Sequence, residues 1–267
     1  MKTILAALFL AAFPVLAAAA PEAPKAVAGF ISETSGSVQV QIGGSDVWML
    51  AKPGQRLTPG SQVKTQAGSS CVIGFTEGSK LRVGPNASFK LEEATPSKIA
   101  VFIGLGKLEA WVTKMAKRSF QARNPVAVAS VRGSIIAMNV LSQTNATTDC
   151  HGGSWSVTDN FGRTTPLSEG QRLETSAAAG SSAPAPMPKT EAKPVEPKVE
   201  VPQNIKEQVQ AEEKKADEKK PEEKQAEKKK EEEAPPDEVQ AQEPPPAPPQ
   251  TSPTQETTTT PVSPSAP

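Results

Sequence analysis

The sequence predicts an all-β domain over residues 28–175, a compact wrapped β-sandwich or short β-solenoid-like body, followed by a long disordered tail. Three observations carry that expectation. Short apolar runs alternate with polar residues at a period of two and are cut by glycine, proline and asparagine turns. No window longer than about 11 residues repeats its apolar positions at the helical period. Composition then changes at Ser176: 18 of the chain's 27 prolines lie between there and Pro267, with no aromatic residue and no cysteine.

Taken in order, the chain opens MKTILAALFLAAFPVLAAAA, a single cation (Lys2) before an apolar run from Ile4 to Leu16 and an alanine-rich stretch. That pattern reads as a secretory signal peptide, residues 1–19, with cleavage after Ala18 or Ala19. The run sits at the short limit for a membrane span, and Pro14 interrupts it. No membrane span is expected here or later, so the mature protein is expected in the periplasm or cell envelope of a bacterium. An exported location makes nucleic acid an improbable partner.

The strands of the domain follow from pattern. SVQVQI places Val38, Val40 and Ile42 on one face, and Gly43-Gly44 precedes VWML. CVIGF ends at Thr76-Glu77-Gly78 and KLRV at Gly84-Pro85-Asn86. FKLEE, KIAVFI, KLEAWV, PVAVASV, SIIAMNV and SWSV complete the series. One stretch occurs twice: Gly54-Gln55-Arg56-Leu57 and Gly170-Gln171-Arg172-Leu173. Ser37, Val38, Val40 and Leu50 precede the first copy much as Ser154, Trp155, Val157 and Leu167 precede the second. One structural unit used at both ends of the domain is expected, with the glycine at a permissive turn and the leucine returning to the core.

From Ser176 on, too little apolar surface is available to offset the ordering entropy, which predicts disorder. Residues 183–202 favour extended polyproline conformations, whereas 203–233 hold Glu/Lys pairs at helical spacing, broken by Pro221. In composition this tail resembles the spacers of TonB-type proteins. Formal neutrality hides an asymmetry: residues 1–175 carry 17 Lys/Arg against 11 Asp/Glu, and residues 176–267 carry 12 against 18. Attraction between tail and domain and a solvated, screened tail are both open.

Three segments of the domain carry a family resemblance. VWMLAKPGQRLTPGSQVKTQAGSSCVIGFTEGSKLRVGPNASFKL has a Trp, a Gly-x-x-Leu, a second Gly, a Thr at a strand end and a Phe-x-x-Gly-Ser turn. NPVAVASVRGSIIAMNV is a Pro-containing strand leading into Val-Arg-Gly-Ser, and LSEGQRLE closes the domain. In this order they resemble the FecR-domain proteins of bacterial envelopes. Ser134 stands where the family has threonine, Ile136 where an aromatic is common, and Asn124 where a threonine precedes the proline. FecR sensors that signal to sigma factors carry a cytoplasmic segment and a transmembrane helix, for which this chain has a signal peptide. The resemblance therefore implies protein binding rather than transmembrane signalling.

Candidate site residues are few. Arg132, Gly133 and Ser134 form a binding or fold motif: a guanidinium could hold a partner, or the glycine could permit a bulge or tight crossing. Cys71 and Cys150, the two cysteines of an exported chain, could form a disulfide or remain buried thiols. His151 is read as a loop residue, since Cys150 and His151 fall short of a metal-ligand set. Lys107, Lys114, Lys117, Arg118 and Arg123 make a possible basic patch that would suit an anionic wall polymer or remain a solvated face. No catalytic, cofactor or metal residues are expected. The leading expectation is a non-catalytic envelope binding or scaffold module, tethered or spaced by its tail, with an envelope protein as partner. The alternative is a periplasmic signalling component that relays a state to a membrane receptor or anti-sigma regulator.

Overall fold

The structure, a computed structural model, describes residues 27–114, 118–131, 133–189, 192–212 and 214. The expected signal peptide (1–19), the tail from 215 onward, Lys117 and Arg132 lie outside the described residues.

The strands are β1 (Gly29–Ser35), β2 (Val38–Gln41), β3 (Met49–Leu50), β4 (Arg56–Leu57), β5 (Gln62–Thr65) and β6 (Ser70–Phe75). Next come β7 (Lys80–Val83), β8 (Ser88–Ala94), the long β9 (Lys98–Val112), β10 (Ser119–Arg123), β11 (Ala127–Val131) and β12 (Ser134–Ser142). β13 (Asn145–Gly152), β14 (Ser154–Asp159), β15 (Thr164–Ser168), β16 (Gln171–Ser176), β17 (Gly180–Ser181) and β18 (Ala185–Pro186) complete them. A helix, α1, spans 203–212.

Pairing sorts these strands into two sheets that share β9. The first runs β4-β1-β6-β7-β9-β12-β13-β16, with β17 and β18 on the outer side of β16. The second runs β3-β2-β5-β8-β9-β10-β11-β14-β15 and is antiparallel except at β9–β10. Residues up to Leu105 of β9 pair with β8, while Gly106 to Val112 pair with β12. The strand thus leaves one sheet and enters the other at Gly104–Gly106. Both orders are palindromic in their roles: β4, β1 and β6 are answered by β16, β13 and β12, and β3, β2 and β5 by β15, β14 and β11.

Alternation fills the space between the sheets. Ile31, Leu57, Ile73, Leu81, Leu108 and Met138 of the first sheet meet Val38, Val40, Phe89, Val101, Ala129 and Trp155 of the second in one buried cluster. Phe120 and Trp155 meet edge to face, with ring centres 6.3 Å apart. The buried members of this core run from Val27 to Leu173, so the strand-built body fills its own interior.

The repeated stretch is one device used at opposite edges of the first sheet. Gly54 and Gly170 have φ of +79° and +82°, a left-handed conformation that glycine adopts without the Cβ penalty. Their amides donate to Ile31 O and Cys150 O, each at 2.8 Å, on the neighbouring strand. Gln55 Oε1 accepts from Lys52 N and Gln171 Oε1 from Ser168 N, the same three-residue span in both copies. Leu57 and Leu173 then enter the core at 1% and 0% exposure. Even the neighbouring strands match: β1 carries a bulge at Ser32 and β13 one at His151.

The boundary expected at 175 does not describe the molecule. β16 continues to Ser176, and β17 and β18 pair with it. Disorder was also expected for 176–212, yet 176–189 and 192–212 are placed against the domain. Alone, the segment would lack a hydrophobic face to fold on. The first sheet supplies one.

Candidate functional site: the strapped face of the first sheet

The outer faces of the two sheets differ in kind. On the second, Gln39, Gln41, Lys64, Lys90, Ser130 and Ser156 point outward, polar and half-buried or exposed, as expected where an antiparallel sheet meets water. On the first, the residues alternating with the core include Phe30, Val72, Trp111 and Ala137, all buried. Something must cover them.

That cover is the segment after β18. Met187 N donates to Gly170 O at 2.8 Å beside β16. Glu196 Oε1 lies 2.6 Å from Lys80 Nζ on β7. Val199 rests on Gly74 of β6, where an added Cβ would come within 2.5 Å of the valine methyl and 2.6 Å of the Phe30 ring. Only glycine leaves that groove open. Ile205 and Val209, four residues apart on α1, close over Ala28 and Phe30, with Val199 and Val201 at the margin. At the far edge, Asn204 Nδ2 donates to Gly54 O at 3.2 Å, and Arg56 holds Glu212 through two hydrogen bonds of 2.8 and 2.7 Å. From β16 to β4 the contacts cross the sheet in order, making a strap perpendicular to its strands. Pro197 is buried and Pro194 half-buried at a spacing of three, which suits an extended polyproline segment.

Beneath the strap's path lies a polar lattice. Arg82 donates to Glu109 at 3.1 Å and its guanidinium stands 5.3 Å from the centre of the Trp111 ring. Lys107 reaches the other Glu109 oxygen at 3.2 Å. Arg172 of the second repeat grips Asp149 with bonds of 2.6 and 2.7 Å. Its counterpart Arg56 turns to the strap's Glu212, so the repeat is used for the domain's own chain on one edge and for the strap on the other.

The residues singled out from sequence do not converge. Gly133 is a close crossing, since an added Cβ would lie 2.5 Å from the Lys114 Cα. Ser134 begins β12, its hydroxyl beside the Cys150 thiol. The possible basic patch is spread over both sheets: Lys107 sits on the first, whereas Arg123 ends β10 in the second and pairs with Glu92 at 3.3 Å. Arg118 donates to Pro96 O at 2.9 Å.

The disulfide is corrected. Cys71 and Cys150 are buried free thiols. β6 and β13 are separated in the first sheet by β7, β9 and β12, four strand spacings or ~19 Å, against the ~7 Å limit for a bridge. His151 is corrected too: it is no loop residue but the inserted residue of the β13 bulge, 4% exposed. Among the described residues no cluster of histidine, cysteine and carboxylate groups could hold a metal ion, and no helix is long and apolar enough to cross a membrane.

The centre of this architecture matches a known family. The model described as FecR protein matches residues 61–154, from β5 to the start of β14. Over that span the chain is similar to a FecR domain. The matched span holds β9 and both sheet centres, while the two repeat copies and the strap lie outside it. Curated proteins yield no match. Two crystal structures of a candidate anti-sigma factor from Parabacteroides distasonis ATCC 8503 align with a TM-score of 0.43 and 12% identity. The alignment covers 47% of this chain and 59% of the solved one, so this chain spans little more than half of that protein's length. The strap itself left one signal in the sequence, the Pro194/Pro197 spacing followed by Ile205 and Val209. Its docking surface left another, Phe30 at a position where alternation calls for a polar residue.

Proposed function

We propose that the protein is a regulatory component of the bacterial cell envelope that binds other proteins and relays a state to a membrane receptor or an anti-sigma regulator. The observation that carries this reading is the FecR match at residues 61–154. An exposed apolar edge supports it: Val47, Met49 and Leu50, at or beside edge strand β3, are 62%, 42% and 66% exposed. Apolar residues gathered on an open strand edge suit a protein partner. The reading is non-catalytic. Burial pushes the Cys71 thiol up to about 12 and raises that of Cys150, so neither supplies a thiolate nucleophile near neutral pH. A scaffold held by an anionic wall polymer has less in its favour, because Lys107 and Arg123 are already paired with Glu109 and Glu92.

The test is site-specific photocrosslinking in intact cells from positions 47 and 50, with the captured proteins identified. A membrane receptor or sigma-regulating protein is the expected product at both positions, and its capture from position 47 should be lost on Leu50→Asp. Recovery of wall polymer alone, or capture unchanged by Leu50→Asp, would count against the proposal.

A further inference from the structure

We infer that the strap, residues 196–212, is a displaceable cover over a helix-acceptor groove, and that the groove accepts in trans an acidic amphipathic helix of the same chemistry. The groove floor is Ala28, Phe30 and Gly74; Ala28 and Phe30 form with Ile205 and Val209 a small cluster separate from the main core, and Gly74 lies beside the Phe30 ring. Removing the cover therefore leaves the sandwich interior closed. A cation flanks the groove at each end, Lys80 at one and Arg56 at the other, and each faces a strap glutamate. Those strap glutamates are more than half exposed, at 56% for Glu196 and 53% for Glu212, so both clamps lie where solvent and competing acids can reach them. Just before the strap, Val195 is 77% exposed. An incoming helix needs β-branched aliphatic residues four apart, an acid one to two turns beyond, and an extended segment with a second acid ahead of it. This site is independent of the apolar β3 edge invoked above, and it stands or falls without the relay role.

A fluorescent synthetic peptide of residues 192–214 is the probe, titrated onto the full chain and onto its Ile205→Asp/Val209→Asp variant, which frees the strap. A short tether presents the native strap at millimolar effective concentration, so the wild-type chain should bind the peptide at least ~10-fold more weakly than the variant. Arg56→Glu added to the variant should weaken binding, and a peptide carrying Glu212→Arg should restore it. Near-ultraviolet circular dichroism of the core residue Trp155, read in chains carrying Trp48→Phe and Trp111→Phe, reports whether the sandwich survives. Loss of that signal in the strap-freeing variant would make the strap an integral part of the fold and overturn the inference. Equal binding to both chains, binding to neither, or no rescue by the charge-reversed peptide would overturn it as well.

Discussion

Asp159 shows how much one side chain can organise. Its Oδ1 accepts from Phe161 N and Arg163 N, each at 3.0 Å, closing the β14–β15 turn. Its Oδ2 accepts from Arg163 Nε and Ser181 N, each at 2.9 Å, which ties β17 to that turn. The Ser181 amide, joined by the Arg163 and Phe161 donors, holds this carboxyl below its ordinary value. A depressed folded value means that the stabilisation is complete above the ordinary aspartate range near ~3.9 and is lost as pH falls through the folded value. Thermal unfolding followed from pH 7 down to pH 2 should show that loss, and Asp159→Asn should remove this contribution to the acid limb. An unchanged limb would contradict the role. The cysteines give a second expectation at this scale. With burial holding Cys71 up to about 12, neither thiol should react with a disulfide reagent in the native protein at pH 8. Two thiols should titrate in denaturant without reductant, and fewer than two would mean a bond had formed. That they are unpaired was not legible in the sequence, because export and an even count set only the opportunity, whereas three intervening strands decide the distance.

At the scale of elements, the repeat was legible and its partners were not. Two glycines, two glutamines and two leucines at matching offsets announced one unit used twice, since each local turn depends on nearby residues. Which strand each copy would join depends on pairings with an earlier strand, Leu57 with Gly29 and Leu173 with Thr148, and alternation carries no information about that. Matched substitutions test the equivalence. Leu57→Ala and Leu173→Ala should each cost about 2–5 kcal/mol in chemical denaturation. Gly54→Ala and Gly170→Ala should each cost about 1–2 kcal/mol, because both place a Cβ in the left-handed region. A large penalty at one copy and none at the other would refute a shared role. The all-β reading succeeded because period-two runs dominate residues 28–175. The His151 assignment failed because a bulge inserts a residue that strict alternation cannot place.

Across the described residues, the palindromic sandwich leaves one outer face wet and the other partly apolar, and the chain's own continuation covers the apolar part around Ala28 and Phe30. Composition indicated disorder for residues 176–212, because it counts only the apolar surface that the segment itself carries. It could not reveal that Phe30 and its neighbours, placed outward by register, provide the missing half. The opposite net charges of domain and tail were visible beforehand, and Glu196–Lys80 and Glu212–Arg56 are where they meet. A chain ending at Met187 should keep the sandwich yet bind a hydrophobic dye strongly, whereas one ending at Thr175 also opens the β16 edge and should aggregate. Equal dye binding by the full chain and the chain ending at Met187 would speak against a covered face. The most direct measurement is an isotope-edited nuclear Overhauser spectrum of the full chain. The strapped sandwich predicts cross-peaks from the Phe30 ring to the methyl groups of Ile205 and Val209. A Phe30 ring with no cross-peak to either residue would contradict it.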